Sequence, residues 1–257
     1  MSASLAYAQV RMQSRYGARA TPGEWQRLLA ITDYRAFLEQ ARHTGLKPWL
    51  SNVSPIGTAH EMEQLLRGQW RAHIAELARW LPASYAAVLA WSLTLPDLPA
   101  LAHLLGGGES YAWMLDEPAL KTLAVADAAA RAALLVQTGF APLAGEPSGL
   151  PPIERWLRVW QRRLPPATRR ERRQVQALVR LLLEHRRVFL PSPAHDPPGT
   201  PAAAALRREF ETRIVTCFRR GFLAPSGVLA YLALAALECE RARAALAVRA
   251  WFPAEQL

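Results

Sequence analysis

The chain has 257 residues, of which 51% are hydrophobic and 20% are charged, so it can bury a substantial core and lacks the composition of a disordered protein. Its formal net charge of +10 favours an anionic partner: nucleic acid, an acidic protein surface or membrane headgroups. A high arginine content alone also produces this charge, and the dominance of Ala, Leu and Arg predicts an all-α fold.

Three short helices are predicted near the N-terminus. The first covers residues 3–16, where apolar side chains recur at helical spacing. Residues that favour the N-cap position begin the other two, at Thr21 and Asp33, and the last ends at about His43. Three side chains of the first helix share a face because they are four residues apart: Tyr7, Arg11 and Arg15.

A long amphipathic helix is predicted over about 59–81, capped by Thr58. Pro82 opens the next helix, and Pro96-Asp97 starts a short one that ends at Gly106-Gly107-Gly108. The apolar positions of the long helix are Met62, Leu66, Trp70, Ile74, Leu77 and Leu81. Residues 22–108 therefore form several helices with short connections.

The middle of the chain is predicted to alternate between helices and proline-rich segments. Glu117-Pro118 starts a long alanine-rich helix that runs to about Thr138, and residues 140–152 form a loop. Two helices are expected next, at about 152–163 and 168–189, and a proline-rich linker follows at 191–201.

Two helices are predicted at the C-terminus, over about 201–222 and 227–249, with a break at Pro225-Ser226-Gly227. Cys217 and Cys239 lie in apolar helical surroundings and are expected to be buried free thiols in a reducing compartment. We divide the chain into three helical blocks within one compact chain: 1–108, a middle block 109–200 with proline-rich loops, and 201–257.

No membrane or export segment is predicted. Arg11 and Arg15 interrupt any apolar run at the N-terminus, so no signal peptide is expected. No apolar stretch is judged long enough to cross a bilayer; residues 222–237 come closest and are interpreted as a buried helix. A cytoplasmic location follows as an expectation.

The sequence predicts no catalytic residues, no cofactor and no metal site. His60-Glu61 resembles the start of a zinc-protease helix, but position 64 is Gln where a second His is required. The glycines at 106–108 follow a helix and lack the Lys-Ser/Thr of a phosphate loop, so we interpret them as a helix end. No nucleophile–base arrangement is visible.

An arginine-rich stretch between residues 155 and 187 includes Trp156 and Trp160. Three interpretations are open: a solvated helix face with its tryptophans in the core, a surface for an acidic protein or membrane, and, less favoured, a nucleic-acid surface. The candidate partner-binding residues are Arg155, Arg158, Arg162, Arg169, Arg170, Arg172 and Arg173.

Three segments resemble the V-type ATPase subunit called d in eukaryotes and C in archaea and bacteria. The N-terminal LAYAQVRMQSR, residues 5–15, is similar to the family's opening, in which an aromatic residue precedes a short basic pattern. Residues 223–232, LAPSGVLAYL, and the continuation to residue 252 resemble its closing segment. Residues 95–101, LPDLPAL, resemble its Asp-x-x-Asn-Leu element, with Ala100 in place of Asn. The matching residues are Tyr7, Arg11, Arg15, Asp97, Tyr231 and Glu240.

This resemblance implies three related helical bundles around a pseudo-threefold axis. It also implies a non-catalytic socket at the cytoplasmic mouth of the membrane rotor ring, which receives the central shaft and binds no nucleotide. Its partners would be the rotor-ring and central-shaft subunits, at the membrane periphery. Two alternatives stay open: a family-derived helical adaptor in another complex, suggested by Ala100 and a poorly matching middle, and an arginine-rich nucleic-acid-binding protein.

Overall fold

The computed structural model describes residues 3–56, 58–189 and 201–251, and the regular structure within these ranges is helical, with no strand. The predicted all-α class is therefore confirmed, while the pseudo-threefold arrangement stays a prediction. The predicted linker at 191–201, apart from its last residue, and Phe252 lie outside the described residues.

Two compact units divide the chain. One consists of Met1–Pro82 together with Pro166–Leu257, and the other of Ala83–Pro165. These limits differ from the predicted blocks 1–108, 109–200 and 201–257, because the C-terminal helices pack against N-terminal ones rather than forming a block of their own.

The first unit begins with five helices, and the capping residues expected from the sequence are in place. The side chains of Thr21, Asp33 and Thr58 each accept a hydrogen bond from a backbone N–H in the first turn of the helix that follows. These helices are α1 (Ala3–Gly17), α2 (Pro22–Leu29), α3 (Tyr34–Arg42), α4 (Lys47–Leu50) and α5 (Ala59–Trp80). All six apolar positions predicted for the long helix are buried.

The second unit contains six short helices and several 3-10 turns. Its helices are α6 (Ala86–Ser92), α7 (Leu98–Leu105), α8 (Ala112–Asp116), α9 (Lys121–Val125), α10 (Ala128–Leu134) and α11 (Pro152–Arg162). The 3-10 turns are Ala83–Tyr85, Leu95–Asp97, Leu135–Gln137 and Ala141–Leu143. The predicted loop over 140–152 is largely irregular but packed, since Phe140 and Leu143 are buried.

The prediction of one long alanine-rich helix from Glu117-Pro118 to Thr138 is wrong, because the helical structure is interrupted between α9 and α10. Arg131 explains the break: its guanidinium donates to the carbonyl oxygens of Leu123 at 3.1 Å and Ala126 at 3.2 Å, and also to that of Leu104 at the end of α7. A buried guanidinium needs several acceptors, and these carbonyls are free for it only when the helix is interrupted.

Three helices complete the first unit: α12 (Arg169–Phe189), α13 (Pro201–Arg220) and α14 (Pro225–Trp251). Helices α12 and α13 pack on α14, which also contacts α5, and α1 packs on α5. The predicted break at Pro225-Ser226-Gly227 is wrong, because these residues form the first turn of α14. Proline is tolerated there, since backbone N–H groups in the first turn of a helix have no intrahelical acceptor. The break is the turn before α14, where Leu223 has a φ of 57°.

One described segment contradicts the expectation about membrane spans. Residues Ala83–Leu105 are long and apolar enough to cross a bilayer by length and composition alone. Half of the apolar window is buried inside the protein, and the segment is divided by turns between α6 and α7.

Candidate functional site

A small cavity of about 50 Å³ lies in the first unit. Residues of α1, α4, α5 and α14 line it, together with the turn that follows α1. Its polar lining comes from Arg15, Arg19, Trp49, His73, Tyr231 and Glu238. This volume suits one or two water molecules and is far below the several hundred Å³ of a typical small-molecule pocket.

Glu238 is the buried carboxylate of the cavity, with 5% of its surface exposed. Its Oε2 accepts a hydrogen bond of 3.0 Å from Trp49 Nε1, and its Oε1 lies 3.2 Å from Arg19 Nε. The contact with Arg19 is an ion pair without hydrogen-bond geometry. Burial raises the pKa of Glu238, and the charge of Arg19 opposes that rise. The pair ties the turn between α1 and α2 to α14.

His73 lies among aromatic rings at the cavity wall. Its ring centroid is 5.4 Å from that of Trp49 and 5.6 Å from that of Tyr231. Within the described part of the chain, its Nε2 is buried without a hydrogen-bond partner. Burial lowers the pKa of His73 to about 4, so the imidazole is neutral at pH 7. Burial also raises the pKa of Tyr231.

Arg15 fastens α1 to α5. Its Nη2 lies 2.6 and 2.8 Å from the two carboxylate oxygens of Glu76. One turn earlier, the guanidinium of Arg11 lies 5.0 Å from the ring centroid of Trp80. Charge-assisted contacts of this kind hold the two helices in a fixed register.

A second clamp joins the last turn of α14 to α2. The guanidinium of Arg249 donates to the carbonyl oxygens of Ile31 at 2.7 Å, Leu28 at 3.1 Å and Leu29 at 3.3 Å. It also lies 4.1 Å from the ring centroid of Phe37. Arg249 thus supplies a donor to the carbonyls of Leu29 and Ile31, whereas that of Leu28 also accepts from the backbone N–H of Ile31 at 3.1 Å.

The structure places the six residues of the family resemblance in different surroundings. Arg15 and Tyr231, from opposite ends of the sequence, line the same cavity. Arg11 packs over Trp80, whereas Tyr7 is 53% exposed. Asp97 is buried in the second unit, and Glu240 is exposed in the first.

The arginine-rich stretch does not form one continuous surface within one unit. Arg155, Arg158 and Arg162 belong to α11 in the second unit, and the other four candidate arginines belong to α12 in the first. Arg155 is buried, Arg158 is exposed, and Arg162 forms an ion pair with the buried carboxylate of Glu146. Burial lowers the pKa of Arg155.

The tryptophans of this stretch are core residues. Trp156 is 4% exposed and Trp160 is fully buried, so neither presents a face to a nucleic-acid base. Their indole N–H groups donate to Thr94 Oγ1 at 2.9 Å and Ser92 Oγ at 3.0 Å. Base stacking on these two tryptophans, which the nucleic-acid interpretation required, is therefore excluded.

Arg169, Arg170, Arg172 and Arg173 are exposed in the first turns of α12. Glu171 among them is engaged locally: its carboxylate accepts a hydrogen bond of 2.7 Å from the backbone N–H of Thr168. The hydrogen bonds from Thr168 lower the pKa of Glu171. This carboxylate therefore caps the helix rather than pairing with an arginine.

Other candidate chemistry is limited in the described part of the chain. No group of His, Cys, Asp and Glu residues that could hold a metal ion occurs there. Cys217 and Cys239 are both free thiols; Cys239 is buried as expected, whereas Cys217 is only half-buried. Burial raises the pKa of Cys239 to about 12, which keeps the thiol protonated and unreactive.

Sequence reasoning missed the roles of Glu238, His73 and Trp49. One signal was available for the first: Glu238 follows the apolar run from Val228 to Leu237, which marks it as a carboxylate that is buried and needs a partner. No local pattern pointed to His73 or Trp49, because their partners are distant in the sequence.

Comparisons with protein-family models, with curated protein sequences and with solved structures gave no match to this chain.

Proposed function

We propose that this chain is a non-catalytic coupling subunit of a rotary V/A-type ATPase. It would act as a socket, at the cytoplasmic periphery of the membrane, between the central shaft and the membrane rotor ring. The proposal combines the resemblance of the chain to the subunit d/C family with the all-α fold, and its partners are the rotor-ring and central-shaft subunits.

One structural observation carries the proposal furthest. The two terminal segments that hold the resemblance meet in one unit, where Arg15 of α1 and Tyr231 of α14 line the same cavity. Residues from opposite ends of a sequence that share a packed site have a joint structural role there. This contact favours the interpretation that both terminal segments resemble the family because of common origin, and not through two independent chance matches.

The clamps in this unit fit a subunit that transmits torque. Arg15–Glu76 joins α1 to α5, Arg19–Glu238 joins the turn after α1 to α14, and Arg249 joins α14 to α2. Because packed interiors are stiff, helices held by such contacts pass a load between two binding partners without sliding. A helical adaptor in another complex would use the same stiffness and remains the second candidate.

The first test is affinity purification of the tagged chain from gently solubilised native membranes, followed by mass spectrometry. Recovery of a small membrane-ring protein together with nucleotide-binding subunits is expected. Recovery of a different complex without ATPase subunits would reject the rotary proposal and favour the adaptor.

A matched pair of variants tests the mechanical role. Arg15→Gln removes the charged clamp between α1 and α5, and Arg79→Gln removes an exposed charge from the same helix pair. We expect Arg15→Gln to lower the number of ions moved per ATP hydrolysed in reconstituted vesicles, and Arg79→Gln to leave it unchanged. Thermal melting of both variants shows whether either has lost its fold; equal coupling in two folded variants would contradict the clamp's role.

A further inference from the structure

The exposed face of α12 carries five arginines. None of them forms an ion pair with a carboxylate in the described part of the chain, and the opposite face of the helix is buried through Val175, Leu178 and Val179. The five are Arg169, Arg170, Arg172, Arg173 and Arg180, and we call them the α12 arginine face.

Helix geometry arranges these arginines as a stripe. At 100° per residue, Arg169, Arg173 and Arg180 point within about 40° of one another, and Arg170 and Arg172 flank them on either side. At a rise of 1.5 Å per residue, the stripe is about 16 Å long. A flat anionic surface can therefore contact at least three of the guanidinium groups at once.

The placement of this charge is unfavourable for the isolated protein. Four of the arginines lie in the first turns of α12, next to the positive end of the helix dipole, and they repel one another. The ionised carboxylate of Glu171, which is hydrogen-bonded to Thr168, offsets only one of these four charges, so a net charge of +3 remains over residues 169–173. Where local electrostatics oppose folding without compensation inside the protein, a binding partner is the expected source of compensation.

We propose that the α12 arginine face docks on the anionic phospholipid headgroups of a membrane. The location at a membrane rests on the proposed function, and lipid contact goes beyond it. On the exposed face, the residues between Arg173 and Arg180 are Gln176 and Ala177, so this face offers no large apolar or aromatic side chain as a protein hot spot or a base-stacking platform. Charge alone is enough for headgroup binding.

The test uses the purified full chain and sedimentation with phosphatidylcholine vesicles, with and without phosphatidylglycerol. The test variant changes Arg169, Arg170, Arg172 and Arg173 to Gln. The control variant makes the same change in net charge at four exposed arginines on α2, α3, α5 and α13: Arg27, Arg35, Arg79 and Arg219.

Wild type is expected to bind only the vesicles with phosphatidylglycerol, and added salt should weaken that binding. Each arginine in contact contributes about fivefold to partitioning, so the loss of two to four contacts should weaken binding of the test variant by about 25- to 600-fold, while the control variant changes little. The test variant should also unfold at a higher denaturant concentration than wild type, since it loses the repulsion at the start of α12.

Three outcomes would overturn the proposal: no binding of wild type to anionic vesicles, equal weakening in both variants, or tighter binding to duplex DNA than to vesicles at the same salt concentration. The purified chain is used alone, so failure here leaves the ATPase proposal standing. Conversely, a purification without ATPase subunits would leave a positive vesicle result intact.

Discussion

Acidification should destabilise the first unit through His73. Its pKa is about 4 in the folded protein against a reference value of 6.5, because burial disfavours the imidazolium. The folded-state pKa is therefore the lower one, so the unfolded chain takes up the proton first as the pH falls. The stability contributed by neutral His73 is complete above pH 6.5 and is lost between pH 6.5 and 4.

The size of the loss follows from the two pKa values. With 6.5 in the unfolded and about 4 in the folded state, lowering the pH from about 7.5 to 4.5 removes about 2.5 kcal/mol from the free energy of unfolding. The steepest loss is about 1.4 kcal/mol per pH unit, which corresponds to one proton. His185, whose pKa burial also lowers to about 4, adds a separate loss of the same sign.

The assay is urea denaturation across this pH range for wild type and His73→Phe. Phenylalanine keeps an aromatic ring between Trp49 and Tyr231 and cannot titrate. The variant should match or exceed wild-type stability at pH 7.5, since it removes the unpaired Nε2. Other titrating groups are shared and cancel in the difference. If the stabilities of the two proteins fell in parallel from pH 6.5 to 4.5, the assigned burial of His73 would be refuted.

Three further substitutions test individual contacts. Arg249→Met removes one donor from each of three carbonyls at the α2 end, of which only that of Leu28 keeps a backbone donor, and should lower the free energy of unfolding by about 3 kcal/mol in urea titrations, against no measurable change for exposed Arg219→Met. Arg131→Met should speed amide hydrogen exchange in α7, α9 and α10 by at least tenfold, and unchanged exchange there would show that the α9–α10 break does not depend on this side chain. Thr58→Ala removes the cap of α5 and should cost about 1 kcal/mol, measured by thermal melting, with Thr32→Ala, which caps no helix, as the control.

Much of the helical layout could be predicted because its signals are local. Thr21 and Thr58 each stand three residues before a glutamate, and both form the capping box that this spacing predicts. The regular spacing of apolar residues predicted both ends of α5 to within one residue and correctly assigned its buried face. Such patterns depend on contacts within one turn, which a sequence displays directly.

The errors fall where distant residues decide the local structure. An alanine-rich segment has high helix propensity, yet Arg131 draws the carbonyls of α9 and α7 to itself and interrupts the helix. Pro225 was expected at a break, but a proline is tolerated in the first turn of α14, and the reversal occurs just before it.

For the cavity residues too, local patterns were visible in the sequence, whereas contacts between distant residues were not. Arg15 and Tyr231 were singled out because of the family resemblance, but nothing in the sequence indicated that they would share a cavity with Glu238 and His73. The arginine-rich stretch looked continuous in sequence, whereas the structure assigns Arg155 to the core of one unit and Arg169 to the exposed surface of the other.

The sequence by itself determined the helical class, many helix limits and the inward face of α5, because propensity, capping and periodicity act over a few residues. The tertiary structure alone decided which charged side chains are buried and paired, and which remain exposed as on α12. Those outcomes depend on desolvation and on partners brought from distant parts of the chain, such as Trp49 and Arg19 to Glu238.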